Sequence, residues 1–309
     1  MGKLMLTNLP VFLRIGLFSV ILAVLGIIYF SFKNNGKGCL LSNNKEKNKK
    51  EITKEKKKTL TLNVVQPIPL DVKNPSQIVP ITNCNKIIPV FYKNPIDFKG
   101  LSKKERKEKF IAYMLPQILI VNHEIEENRR IVLRIKKKFE EGKEITENEE
   151  RFLNNLLKKY KVKSVNELLS RLNTNPPSLV LAQAIAETGW GTSRFYLEGR
   201  NAFGITAIRK KGNTIKMKGA NIYLRKYKYV INSIRDYYYS INVSWAFKKF
   251  RKVRLTTKNP LELSRHLTLY STLRRIYIKR IKKILRENSL DKFDKCRIDP
   301  SFIREMNYE

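Results

Sequence analysis

From Leu179 to Ala186 the side chains Leu179, Leu181, Ala182, Ala184, Ile185 and Ala186 leave almost no polar group before Glu187. A helix apolar nearly all round belongs inside a protein, so the rest of the chain has to wrap this one. Ser178, after Pro176 and Pro177, is placed to cap its N-terminus. Gly189 follows where a helix end favours a left-handed residue. The last turn therefore delivers one carboxylate, Glu187, from the core to a surface that begins Gly189-Trp190-Gly191. The negative end of the helix dipole and partial burial both disfavour its charged form. A raised pKa is what a general acid needs near neutral pH. Trp190, between two glycines, reads as an exposed aromatic plate suited to the C–H face of a sugar ring. The bland alternative is a Glu187 that closes the helix with a surface salt bridge and a Trp190 that fills core; spacing alone does not separate the two.

Residues 182–195 (AQAIAETGWGTSRF), followed by Asn201-Ala202-Phe203-Gly204-Ile205, resemble the signature of the bacterial glucosaminidase family. Within it the arrangement resembles the Bax-type proteins of Gram-negative bacteria, and the likeness runs from about residue 110 to residue 290. Thr188 stands where the usual E-S-G-W-G motif has serine. The resemblance implies a lysozyme-like fold and cleavage of peptidoglycan beside N-acetylglucosamine, with Glu187 as general acid. It assigns Trp190, Phe203, Asn201 and Tyr227 to substrate binding. It also places Tyr270 in the cleft opposite the acid, where a half-buried core tyrosine is the other reading. Arg274-Arg275 departs from a more usual Arg-Gly there. No Asp or Glu occurs between Ile205 and Ile234, where some members are thought to carry a second carboxylate. Hydrolysis would then rely on the 2-acetamido group of the substrate or on a polar residue positioning water. Glu198 reads as a surface or supporting residue. No metal or other cofactor is called for.

A net charge of +36 points to an anionic partner, either membrane lipid, nucleic acid or a wall polymer. The chain is also rich in Asn and Ile, so compositional bias accounts for part of the lysine. No nucleic-acid motif is visible and the lysines are dispersed, so no nucleic-acid partner is expected. Residues 15–32 form an uncharged run, and roughly 18 residues at helical rise cover about 27 Å, enough to cross a bilayer. No small-residue cleavage site follows it, which favours a retained anchor. The lysines after the run argue for a cytoplasmic domain by the positive-inside rule. The resemblance demands a periplasmic one, and that is the expectation adopted: a single-pass inner-membrane protein with its domain in the periplasm. Three cysteines, Cys39, Cys84 and Cys296, leave a Cys84–Cys296 disulfide possible.

Residues 33–95 read as a Lys/Asn- and then Pro-rich tether, extended against the domain or simply disordered. Capping boxes at Ser102/Glu105, Thr146/Glu149 and Ser164/Glu167 each open a helical pattern, with Pro116 expected to kink the first. Period two takes over in residues 206–226, with a hairpin turn expected at Lys211-Gly212-Asn213. Ser233 and Asp236 cap a helix whose Tyr/Trp stripe, Trp245 included, is expected in the core. Asn259-Pro260 opens another. The expected fold class is α+β, predominantly helical: a lysozyme-like domain at residues 96–290 with one small β-hairpin lobe. A flank (1–14), a transmembrane helix (15–32) and the tether precede it, and a tail (291–309) without readable signal follows. The function expected is a peptidoglycan hydrolase of the endo-β-N-acetylglucosaminidase type. The alternatives are a non-catalytic cell-wall-binding scaffold and, further off, a basic nucleic-acid-binding protein.

Overall fold

The computed structural model describes residues 59–207 and 212–308. The expected anchor at residues 15–32, tether residues 33–58, Cys39 and Lys211 lie outside the described residues. Residues 59–95 are folded onto the domain, the first of the two arrangements the sequence left open. Their β-branched runs supply β1 (Thr61–Val65), β2 (Ile68–Leu70) and β3 (Val90–Tyr92), and Leu60, Val65, Ile78, Val90 and Tyr92 are buried.

The helices follow. α1 (Lys103–Glu140) opens on the Ser102/Glu105 capping box and continues through Pro116. α2 (Glu147–Tyr160) opens on the Thr146/Glu149 box, and α3 (Val165–Arg171) on Ser164, whose hydroxyl accepts from the Glu167 amide. α4 (Pro177–Thr188) is the apolar helix and is buried along nearly its whole length. It begins two residues earlier than it would with Ser178 as its cap, because Pro177 suits the first helical position. Ser178 instead donates from its amide and its hydroxyl to Asp294, both at 2.8 Å. The orphan Ser178 amide of this helix is thus satisfied by the C-terminal tail rather than by a neighbour in sequence.

α5 (Arg194–Gly199) leads to the hairpin of β4 (Thr214–Lys216) and β5 (Tyr223–Arg225), where Ile215 lies opposite Leu224. The hairpin of β4 and β5 turns at residues 217–222, where the Met217 amide donates to the Ile222 carbonyl at 2.8 Å; the turn expected at 211–213 begins on Lys211, outside the described residues. Thr206 bridges Leu224 from the other side, so β5 is central to the lobe. α6 (Val230–Val243) starts three residues before the expected cap Ser233. Asn232 accepts from the Tyr229 amide, while the Ser233 hydroxyl turns inward to the Val230 carbonyl at 2.7 Å. Tyr237, Tyr238 and Ile241 are buried as the stripe predicts, but Trp245 is 80% exposed. Ser244 takes an extended conformation that ends α6 and caps the next turn, which resets the helical phase before Trp245. α7 (Lys248–Arg254), α8 (Pro260–Ser264) and α9 (Arg275–Glu287) complete the bundle. Among the described residues no helix is long and apolar enough to cross a membrane.

The tail carries more structure than its sequence reveals. β6 (Ile303–Asn307) pairs antiparallel with β1, Thr61 opposite Asn307, so the described residues form three two-stranded sheets rather than one hairpin. Cys84 and Cys296 form a disulfide across a separation of 212 residues. It is flanked by backbone bonds from Arg297 to Cys84, from Ile87 to Arg297 and from Asp299 to Ile87. A crosslink closing so long a loop typically stabilises by roughly 2–5 kcal/mol. Replacing both cysteines by serine is therefore expected to lower the thermal midpoint and to abolish its sensitivity to dithiothreitol; equal midpoints for parent and double variant would show that the bond contributes nothing.

Candidate active site

α4 ends in a turn that its residues fit closely. Gly189, Trp190 and Gly191 take φ of +59°, +61° and +77°, three left-handed residues in a row. Thr188 ties the turn together: its hydroxyl donates to the Ala184 carbonyl at 2.7 Å and accepts from the Gly191 amide at 3.0 Å. A side chain at Gly191 would meet the Phe98 ring at 2.3 Å, so only glycine fits. Trp190, expected as an exposed plate, is half-buried. Its ring meets Phe110 edge-on at 5.9 Å, and the Lys107 ammonium lies 5.6 Å from its centre.

Residues 201–205 form the second wall. Buried Asn201 holds this loop in shape: its amide nitrogen donates to the Ile205 and Arg225 carbonyls, and its oxygen accepts from the Phe203 and Ile205 amides. Phe203 is buried and stacked on Tyr237 at 4.3 Å. Gly204, at φ +64°, brings bare backbone against the acid; a Cβ there would lie 3.0 Å from Glu187 Oε2. The Tyr227 hydroxyl donates to Asp236 at 2.6 Å, and Arg225 contacts the same oxygen at 2.7 Å.

α9 and the segment before it close the site. The Tyr270 hydroxyl donates to the Phe203 carbonyl at 2.9 Å, and its ring stacks on Tyr277 at 5.3 Å. Arg274, in place of the more usual glycine-containing pair, adopts φ +48°. Tyr277 is buried with its hydroxyl between Gln183 and Glu187. Its signal is the spacing Tyr277, Ile281, Leu285, one buried stripe along α9. The structure thus gathers Glu187, Tyr270, Tyr277 and the Gly204 backbone, with Arg280 nearby. Trp190 lies on the turn after α4 with its ring against Phe110, whereas Asn201, Phe203 and Tyr227 shape the loops around the group.

Burial pushes the Glu187 carboxyl up from 4.5 to about 7; the Tyr277 hydroxyl and the Arg280 charge pull against this without undoing it. Burial likewise raises the Tyr270 and Tyr277 hydroxyls well above 10, helped by the nearby Glu187 charge. Both phenols are therefore neutral donors in the physiological range. Glu198 is exposed and paired with Arg194 at 3.4 Å. Asp236 is held by Arg225 and Tyr227. A cavity of about 410 Å³ at the opposite end of α4 is lined by Asn175, Pro176 and Asp294, and one of about 700 Å³ lies between α1 and the end of α9; Glu187 lines neither. Among the described residues no three His, Cys, Asp or Glu side chains converge as metal ligands would.

Glu187, half-buried at a helix end beneath a glycine backbone and beside two tyrosines, lies in a segment similar to the glucosaminidase family. Residues 162–290 match that family, described as mannosyl-glycoprotein endo-beta-N-acetylglucosaminidase. The chain is 30% identical over 157 residues to the protein bax of Escherichia coli (strain K12), covering 48% of this chain and 55% of that protein. It therefore spans about half the length of this curated relative. Among solved structures, the catalytic domain of the autolysin Auto from Listeria monocytogenes aligns at 21% identity with a TM-score of 0.34, over 48% of this chain and 89% of that one.

The raised carboxyl has a sign-definite consequence for stability. Burying the neutral acid favours the fold fully below about pH 4.5, and that contribution is lost as pH rises through about 7. Glutamine stays neutral throughout. Glu187→Gln is thus expected to be more stable than the parent above pH 7, by up to roughly 3 kcal/mol, with the difference vanishing below pH 4.5. Urea unfolding at pH 4.5 and pH 8 measures both ends.

Proposed function

We propose that this protein is a peptidoglycan hydrolase of the endo-β-N-acetylglucosaminidase type, with Glu187 as the general acid. One observation carries the reading: the Glu187 carboxyl lies half-buried beneath the Gly204 backbone with no salt bridge among the described residues, and burial pushes it up to about 7. Beneath the Gly204 backbone it can hand its proton to a glycosidic oxygen as the bond to the anomeric carbon breaks. The departing chain takes that proton, and positive charge develops on the sugar.

Stabilisation of that charge falls to the substrate. The 2-acetamido oxygen attacks the anomeric carbon, and water later opens the cyclic intermediate. Tyr270 spends its only proton on the Phe203 carbonyl, so its remaining capacity is to accept, which suits it to orient a water. Trp190, three residues beyond the acid in the chain and edge-on to Phe110, offers a partly exposed ring for a sugar face. A periplasmic location is part of the reading: the Cys84–Cys296 bond belongs in an oxidising compartment, and residues 15–32 would tether the domain to the inner membrane. The glucosaminidase-family match supports the substrate class.

The purified full chain is expected to release reducing ends from peptidoglycan, with an alkaline limb in kcat/KM near pH 7. Glu187→Gln is expected to lose about a hundredfold or more. No release by the parent, or release unchanged in Glu187→Gln, would overturn the reading; retention on peptidoglycan by both without release would mark a wall-binding scaffold instead.

A further inference from the structure

We propose that Arg254, Asn175, Tyr237 and Gln183 form a buried positioning relay that fixes the Tyr277 hydroxyl proton on Glu187 and so sets the pH at which the acid ionises. The proposal rests on the reading of Glu187 as the acid and names the device that tunes it.

Arg254 is the largest fully buried side chain, 1% exposed. Its guanidinium donates to Asn175 Oδ1 at 2.8 Å and to the Arg171 carbonyl at 3.2 Å, its Nε has no partner, and no carboxylate pairs with it among the described residues. Burial brings it down from 12.5 to about 9, so it remains cationic at neutral pH. Tyr237 and Tyr238 from α6, Arg251 from α7 and Arg129 from α1 face it, and Lys258 is close by. A buried cation among neutral and like-charged groups is costly unless its charge is spread through polar partners.

The partners lead one way only. Arginine can only donate, so Asn175 must accept, and its amide nitrogen then points on to the Tyr237 oxygen at 3.4 Å. Tyr237 donates to Gln183 Oε1 at 2.7 Å, and Gln183 Nε2 donates to the Tyr277 oxygen at 3.2 Å. Tyr277 has one proton, and the Gln183 amide occupies its acceptor side. That proton is left for Glu187. Every donor is thus aligned from the cation to the carboxyl, an arrangement in which each bond polarises the next. The relay favours the carboxylate and offsets burial, holding the acid near neutrality rather than higher. Among the described residues, the charged and titratable groups facing Glu187 are Tyr277 and Arg280 from α9 and Tyr270 from the segment before it. Arg280 does the same by charge alone, so the test has to break the chain without touching Arg280.

Gln183→Met does this at nearly constant volume. The full chain, with carbon-13 at the glutamate carboxyls and Glu187→Gln to assign the signal, is titrated by NMR without substrate. Gln183→Met is expected to raise the Glu187 midpoint by about half to one pH unit. The alkaline limb of hydrolysis should move by the same amount. Arg254→Met is expected to shift it in the same direction, and Arg254→Lys, which keeps a cationic donor, by less. A Glu187 midpoint unchanged in Gln183→Met overturns the relay, whatever the thermal midpoint of the variant does. A moved midpoint in a protein that releases no reducing ends leaves the relay standing and sinks the hydrolase reading alone.

Discussion

Holding one carboxyl group largely out of water, with no salt bridge to it among the described residues, is the requirement that the surrounding structure meets. An isolated carboxylate in such a place is expensive, and the group answers by holding its proton. For α4 to carry Glu187 there, the helix must be buried along its length, and both of its ends must be satisfied inside the protein. Asp294 does this at the N-terminus and the Thr188 hydroxyl at the C-terminus. The Gly189-Trp190-Gly191 turn then carries the chain away quickly enough for the residue 201–205 loop to close over the acid. Gly204 lies so near Oε2 that the loop and the carboxyl are one packing unit.

What was legible in the sequence was local. An apolar octet, a Gly at the helix end and the serine and threonine caps at Ser102 and Thr146 each depend on residues within a few positions. The misplacements come from partners far along the chain. Ser178 looks like a cap until Asp294, 116 residues away, arrives to accept from it. Ser233 looks like a cap too, but its hydroxyl is inside the helix, where it also accepts from the Ala202 amide at 3.3 Å and so joins α6 to the site loop. Trp245 follows the aromatic spacing of α6, yet a single extended residue, Ser244, turns it out into solvent.

The site shows the same division. Glu187 and its glycines could be named because the motif is contiguous. Asn201 and Phe203 could be named but not understood: their side chains point into the loop and the core, so their sequence distinctiveness reflects the shape they impose. Tyr227 likewise engages Asp236 at the far side of the hairpin. Tyr277 was hidden by resembling an ordinary core residue, and in burial it is one; only its hydroxyl, placed between Gln183 and Glu187, sets it apart.

One tension remains between scale and detail. A chain with a net charge of +36 would be expected to favour every carboxylate it contains, yet burial pushes the Glu187 carboxyl up to about 7. Distance resolves it. Exposed lysines separated from the acid by more than the Debye length of about 8 Å are largely screened at physiological ionic strength, whereas a buried neighbour acts through a low dielectric. Net charge therefore sets the field that the molecule presents to any anionic partner, while Arg280, Tyr277 and, by the relay proposed above, the buried guanidinium of Arg254 act on the proton. The two electrostatic tasks are separated by burial, and a substitution that adds or removes a surface lysine can alter the first without reaching the second.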